Sequence, residues 1–134
     1  MMKRTTIFRI LTVLYLVAVA LICFLNFSGM PDIQKDFLGI PTDKIVHFLM
    51  FLPFPFLAYK SLRLTRNGVV KTLLILVALF AVGCFIAWGT EYIQSKLPYR
   101  DMDPMDFLAD RIGLACGAVA TFLIQLFSVP KSDA

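Results

Sequence analysis

The sequence has 134 residues, of which 59% are hydrophobic and only 16% are charged, and its formal net charge is +4. Soluble domains usually contain about 45–50% apolar and about 25% charged residues, and a chain this short would lack the polar residues to cover a water-exposed surface. The basic residues flank apolar segments and form no separate basic patch, so the composition favours a membrane protein and argues against nucleic acid as a partner.

Four apolar segments predict transmembrane helices, since a helix needs about 20 residues to cross a bilayer. The first follows Lys3, Arg4 and Arg9, and no convincing cleavage site follows it, so we expect a retained helix rather than a signal peptide. The second contains Pro53 and Pro55, which lack backbone donors, so we expect this helix to kink. The predicted helices lie near residues 8–27, 44–60, 72–93 and 105–128.

The charge distribution predicts the orientation of a four-transmembrane-helix bundle. Eight of the 13 Lys and Arg residues lie at the N-terminus, in the middle connector and in the C-terminal tail, and five lie on the other side. The positive-inside rule therefore predicts that both termini are cytoplasmic. No polar linker is long enough to separate two domains, so residues 1–134 are expected to form a single transmembrane domain.

Three groups of polar residues meet on the outer side in this topology. Spacings of three or four residues place Asp43 with His47, and Glu91 with Gln94, on shared helix faces. A third stripe at the same spacing leads into the last helix and ends in a Gly-x-x-x-Gly pair, which lets another helix approach closely or could support an oligomer. Its members are Asp103, Asp106, Asp110, Gly113 and Gly117. We expect this stripe to face protein.

Ionisable groups inside membrane helices are costly and usually mark a functional site, although single residues could also form interfacial ion pairs or packing contacts. His47, Glu91 and Asp106 are the candidate catalytic residues, because imidazole and carboxyl groups can exchange protons near neutral pH. Lys44 and Arg100 could hold phosphate or carboxylate oxygens. The candidate ligand-binding residues are Asp43, Lys44, Gln94, Arg100, Asp103 and Asp110.

The excess of carboxylates would repel an anionic ligand, and a divalent cation would relieve that repulsion. Oxygen and imidazole ligands for such a cation are available, but no established metal-binding spacing identifies a metal. These ligands would come from His47, Glu91, Asp103 and Asp106. The three cysteines lie inside apolar segments, which indicates buried apolar residues rather than disulfides or a thiolate site.

Four motifs occur in order along the chain: Asp43-Lys44-x-x-His47, Glu91-x-x-Gln94, Arg100-x-x-Asp103-x-x-Asp106 and Gly113-x-x-x-Gly117. This combination resembles the VanZ-like family of bacterial membrane proteins, whose name comes from a protein associated with teicoplanin resistance. The resemblance implies a multi-pass protein of the bacterial cytoplasmic (inner) membrane with a role in the cell envelope. The family pattern often has Asn where Asp110 stands, and the chain lacks the longer outer loop of the resistance protein.

Two functions are left open by the sequence. The polar site could bind or modify a membrane lipid, a lipid-linked ligand or another cell-envelope ligand at the outer leaflet, and whether catalysis occurs is also open. Alternatively, the chain is a non-enzymatic structural or partner-binding membrane module, whose polar groups join the helices. Transport is disfavoured because the acidic residues cluster at one end of the predicted helices. No GxSxG, P-loop or HExxH motif of a soluble enzyme is present.

Overall fold

The computed structural model describes residues 3–24, 36–37, 39–62, 68–98 and 103–128. In these ranges the chain is helical apart from one short antiparallel ladder, which turns at Gly39. Gly39 has a φ of +78°, a left-handed conformation that glycine adopts readily. The elements are α1 (Arg4–Phe24), β1 (Asp36–Phe37), β2 (Ile40–Pro41), α2 (Thr42–Phe51), α3 (Phe54–Ser61), α4 (Val69–Gln94) and α5 (Pro104–Ser128).

Among the described residues, α1, α4 and α5 are long and apolar enough to cross a membrane, as judged by length and composition. Much of their apolar surface faces outward, and Val13, Phe85 and Phe127 are examples of large exposed side chains. A patch of this extent is not tolerated on a water-soluble monomer, whereas a lipid environment accommodates it. The helical fold of a multi-pass membrane protein, predicted from the composition, agrees with this structure.

The second predicted helix is divided into α2 and α3 by a turn at residues 52–53. Pro53 and Pro55 have no N–H group to continue the helical ladder, and regular bonding resumes when the Leu57 N–H donates to the Pro53 carbonyl at 3.0 Å. The Tyr15 hydroxyl of α1 donates to the Met50 carbonyl near the end of α2. The predicted kink of the second helix is therefore confirmed, and the hydrogen bond from α1 holds the end of α2 beside it.

Helix α5 packs against α2 and α4, while α3 contacts α1, α4 and α5. A side chain at Gly113 would collide with the Phe48 carbonyl, and one at Gly117 would collide with the Leu52 carbonyl. The glycine stripe thus faces α2 and the turn after it within one chain, which agrees with the prediction that the stripe faces protein, and an oligomer through these glycines stays a prediction. The buried apolar core consists of Val19, Cys23, Met50, Phe51, Phe54, Ala58, Ala87 and Leu114.

The helices run alternately up and down, so their ends collect at two poles of the bundle. At one pole the Gln94 Nε2 group donates to the Cys23 carbonyl at 2.9 Å, which joins the ends of α4 and α1. The starts of α2 and α5 lie at this same pole, which we call the acidic end. At the opposite pole, the basic end, the Arg9 Nε group donates to the Ser61 carbonyl at 2.9 Å.

Candidate functional site

The imidazole of His47 is the centre of the acidic end. Its Nδ1 lies 2.7 Å from Oδ1 of Asp110 and 3.9 Å from Oε1 of Glu91. Its Nε2 lies 3.5 Å from Oδ2 of Asp106. All four side chains are largely buried, and they come from α2, α4 and α5. The structure therefore brings together the three residues predicted as catalytic, although their roles stay predictions.

Asp110 orients the imidazole of His47. Its side chain is fully buried, and its Oδ1 lies 2.7 Å from Nδ1 of His47. An ionised carboxylate can only accept, so with Asp110 ionised the hydrogen bond is donated by the Nδ1–H group. This bond favours the tautomer whose Nε2 is free of a proton and faces Asp106. The sequence placed Asp110 among the ligand-binding residues, whereas the structure makes it the direct partner of His47. Its second oxygen, Oδ2, has no hydrogen-bond partner in the described part of the chain.

The ammonium group of Lys44 joins three carboxylates. Its Nζ lies 2.8 Å from Asp43 and 2.5 Å from Asp103, and it also bonds Oδ1 of Asp106. The sequence assigned Lys44 to an anionic ligand, but this ammonium is already surrounded by carboxylates of the protein. Lys44 and its three partners are called the lysine cluster below.

Asp103 has a second role, because it caps the first turn of α5. Its Oδ1 accepts the Met105 N–H at 2.9 Å, and Pro104 occupies the first helical position, where a missing N–H costs nothing. The hydrogen bond from Lys44 holds the pKa of the Asp103 carboxyl below its usual range, and the Met105 N–H acts in the same direction. This local geometry fixes where the acidic stripe of α5 begins.

Glu91 is the most unusual residue of the site. Its side chain is only 3% exposed, and neither carboxylate oxygen has a hydrogen-bond partner among the described residues. Leaving a buried polar group unpaired costs about 1–3 kcal/mol, and more when the group is charged. Gln94, one turn further along α4, contrasts with it because its amide donates to the backbone of α1. Arg100, also predicted for this site, lies outside the described residues.

The site is rich in negative charge. Two groups of three residues each offer ligand atoms that lie within 4.8 Å of one another. One group is His47, Glu91 and Asp106, and the other is Asp43, Asp103 and Asp106. Lys44 is the one amine bonded to these carboxylates in the described part of the chain. The arrangement can bind a cation, and its oriented imidazole can accept or donate a proton.

Tyr15 is a positioning residue that the sequence analysis missed. Its hydroxyl donates to the Met50 carbonyl, one turn beyond His47 on α2, so it helps to hold the helix that carries the imidazole. A single tyrosine within the first apolar segment was a usable signal, because polar side chains inside membrane helices commonly bond to neighbouring helices.

Comparisons with known proteins give little functional information. No family model matches the chain, and no solved structure matches it. A curated relative from Schizosaccharomyces pombe, described as an uncharacterized protein, is 28% identical over 82 residues. This alignment covers 61% of the chain and 48% of the yeast protein, so the chain spans about half the length of the curated relative that it matches.

Proposed function

We propose that this chain is a VanZ-like integral membrane protein of the bacterial cytoplasmic membrane, with four spans and both termini in the cytoplasm. The fourth span is the broken segment α2–α3, which extends over residues 42–61 and has about the length that a bilayer requires. The acidic end then faces the outer leaflet. There, its polar site binds or modifies a lipid-linked or other cell-envelope ligand.

The observation that carries this proposal is the buried carboxylate of Glu91, which lies beside His47 and Asp106 and has no hydrogen-bond partner among the described residues. A network that only joined helices would pair its buried polar groups, because an unpaired group in a low-dielectric site lowers stability. Proteins retain such costly groups where function requires them. The imidazole oriented by Asp110 adds a group that can move a proton at the ligand.

A second candidate is the structural module, and the lysine cluster is the observation that favours it. Lys44 on α2 binds Asp103 and Asp106 at the start of α5, so this cluster joins two helices directly. The two candidates differ in whether Glu91 binds a ligand or supports the fold. Glu91 serves the ligand in the first candidate, whereas every buried polar group serves the fold in the second.

The test compares wild type with Glu91→Gln, which preserves shape and removes the charge. Both proteins are purified from bacterial membranes in the same detergent. Their melting curves are recorded after treatment with a chelator, and retained lipids are analysed by native mass spectrometry. The proposal expects Glu91→Gln to melt at an equal or higher temperature and to lose a lipid that wild type retains. A lower melting temperature with unchanged lipid retention would favour the structural module.

Thr121→Val is the matched control for this comparison. Thr121 is a fully buried polar residue on α5, about three turns from Asp110, and its hydroxyl donates to the Gly117 carbonyl at 2.7 Å. Its replacement by the similarly shaped Val changes a buried polar group away from the site. This variant should retain the same lipid as wild type.

A further inference from the structure

We infer that His47, Glu91 and Asp106 bind a divalent transition-metal ion at the acidic end. The inference deepens the proposed function and rests on it in one respect, namely that the acidic end is a binding site.

The three side chains are close enough to share one ion. Each offers one ligand atom, and the three atoms lie within 4.8 Å of one another. The pair formed by His47 Nε2 and Asp106 Oδ2 is 3.5 Å apart. In a tetrahedral zinc site with bonds of about 2.0–2.2 Å, two ligands lie roughly 3.3–3.6 Å apart. One pair already has this separation, and Glu91 on the neighbouring helix α4 would complete the set.

Glu91 provides the independent sign of a ligand. Its side chain is more than nine-tenths buried, its Oε1 lies 3.9 Å from Nδ1 of His47, and neither oxygen has a hydrogen-bond partner among the described residues. A cation would supply the interaction that this carboxylate lacks. The two oxygens of Asp106 have different neighbours: Oδ1 bonds Lys44, whereas Oδ2 faces the imidazole and is the oxygen that could bind the ion.

Asp110 contacts the ring nitrogen of His47 that would not bind the ion. A histidine that binds a metal through one ring nitrogen usually donates its other N–H to a carboxylate or carbonyl, which fixes the ring and strengthens it as a ligand. The His47 Nδ1–Asp110 Oδ1 distance of 2.7 Å is such a bond, and it leaves Nε2 on the side of Asp106.

The other group of acids does not compete for this ion. Asp43, Asp103 and Asp106 all contact the ammonium of Lys44, so a positive charge already occupies the space between them. The remaining set combines one imidazole with two carboxylates. Imidazole suits zinc and other first-row transition ions, whereas calcium and magnesium prefer oxygen ligands alone. The ligand types therefore favour Zn²⁺ or Mn²⁺.

The experiment uses the full chain in detergent after treatment with a chelator. Zn²⁺, Mn²⁺, Ca²⁺ and Mg²⁺ are added separately, bound metal is counted by elemental analysis, and affinity is measured by calorimetry. We expect one ion per chain and a melting temperature raised by about 5 °C at saturation. Glu91→Gln and His47→Gln should each weaken binding at least tenfold, and Asp110→Asn should weaken it by about 10–100-fold.

Cys116→Ala is the control for adventitious zinc binding. Cys116 is an exposed free thiol on α5, so it offers zinc a competing ligand, and its removal should leave stoichiometry and affinity unchanged. The inference is overturned if folded wild type binds neither ion at one per chain. It is equally overturned if only Ca²⁺ or Mg²⁺ binds, if binding depends on Cys116, or if Glu91→Gln binds as wild type does.

The two proposals can fail separately. His47→Gln could fail to fold, but Glu91→Gln removes a charge without hydrogen bonds and still tests the metal site. If wild type binds no ion and Glu91→Gln still loses the retained lipid, the metal inference fails and the proposed function stands. If the ion binds as expected while lipid retention is the same in both proteins, the proposed function fails instead.

Discussion

Two buried polar residues on the same face of α4 differ in whether their side chains are hydrogen-bonded. Gln94 donates a hydrogen bond to α1, whereas Glu91 has no such partner among the described residues. Burial of a polar group is favourable to the fold only when its hydrogen bonds are replaced. Gln94 therefore joins two helices, whereas the carboxyl group of Glu91 is buried beside His47 and Asp106 without a hydrogen bond to another described residue.

This contrast gives a prediction about stability. Glu91→Gln should increase the free energy of unfolding by about 1 kcal/mol, because it removes a buried charge that lacks compensating bonds. Gln94→Met should decrease it by about 1 kcal/mol, because it removes the bond to the Cys23 carbonyl. Melting curves of the chelator-treated proteins in one detergent measure both effects, so that a bound metal ion does not contribute. A lower melting temperature for Glu91→Gln would show that its carboxylate contributes to the fold.

The lysine cluster gives a prediction about pH. The hydrogen bond from Lys44 lowers the pKa of Asp103, so this pair contributes stability above the unfolded pKa of about 3.9. That contribution is lost as the pH falls through the lower pKa of the folded protein. Melting temperatures measured between pH 6 and 2 should therefore decrease less for Asp103→Asn than for wild type. Parallel pH profiles for the two proteins would contradict this assignment.

At the scale of the elements, α5 combines packing and chemistry on one stripe. Asp106, Asp110, Gly113 and Gly117 are all buried and follow the helical repeat. The two glycines let the backbone of α2 and of the turn after it approach, and this approach brings His47 to the carboxylates one and two turns earlier on α5. Close packing below the site is therefore a condition of its geometry.

Gly113→Ala tests this dependence. The added methyl group would collide with the Phe48 carbonyl, a backbone atom that cannot rotate away, so α2 and α5 must separate. Overpacking of this kind typically costs about 1–3 kcal/mol, and it should also weaken any binding at His47. Gly89→Ala on α4 is the matched control, because, apart from its own helix backbone, no atom of the described residues lies within 4 Å of the added group. If both variants melt alike, the close approach of α2 is not needed.

The sequence predicted those features that depend on a single helix. The break at Pro53 follows from the missing donor, and the buried stripe from Asp106 to Gly117 follows from the helical repeat. The pairing of His47 with Asp110 could not be predicted in the same way. It depends on how α2 and α5 are rotated against each other, and spacing along one helix carries no information about that rotation.

The same limit explains the incomplete account of Lys44. Its position near the start of α2 predicted a cation at the outer side, but its three partners come from two segments separated by about 60 residues. Only the folded arrangement shows that the ammonium is already neutralised. The role of Lys44 at a ligand stays a prediction, and such a ligand would meet an ammonium that three carboxylates already contact.

The whole molecule is electrically polarised along the bundle. The described acidic side chains gather at the acidic end, while basic residues such as Arg9 and Lys60 lie at the opposite pole. Trp88 stacks on Tyr92 near the acidic end of α4, and Lys96 lies over the Tyr92 ring at 5.2 Å. Aromatic and basic side chains in this arrangement are typical of a membrane–water interface.

This polarity predicts the topology, on which the outer-leaflet site depends. Gly68→Cys lies before α4 at the basic end, and Ser95→Cys lies just after α4 at the acidic end; both positions are exposed. In intact cells, a membrane-impermeant maleimide should label Ser95→Cys and should label Gly68→Cys only after the membrane is permeabilised, because the positive-inside rule places the basic end in the cytoplasm. Wild type, whose cysteines all lie within α1, α4 and α5, measures the background. The reverse pattern would place His47 and Glu91 at the cytoplasmic face, and a ligand of the outer leaflet could then not reach them.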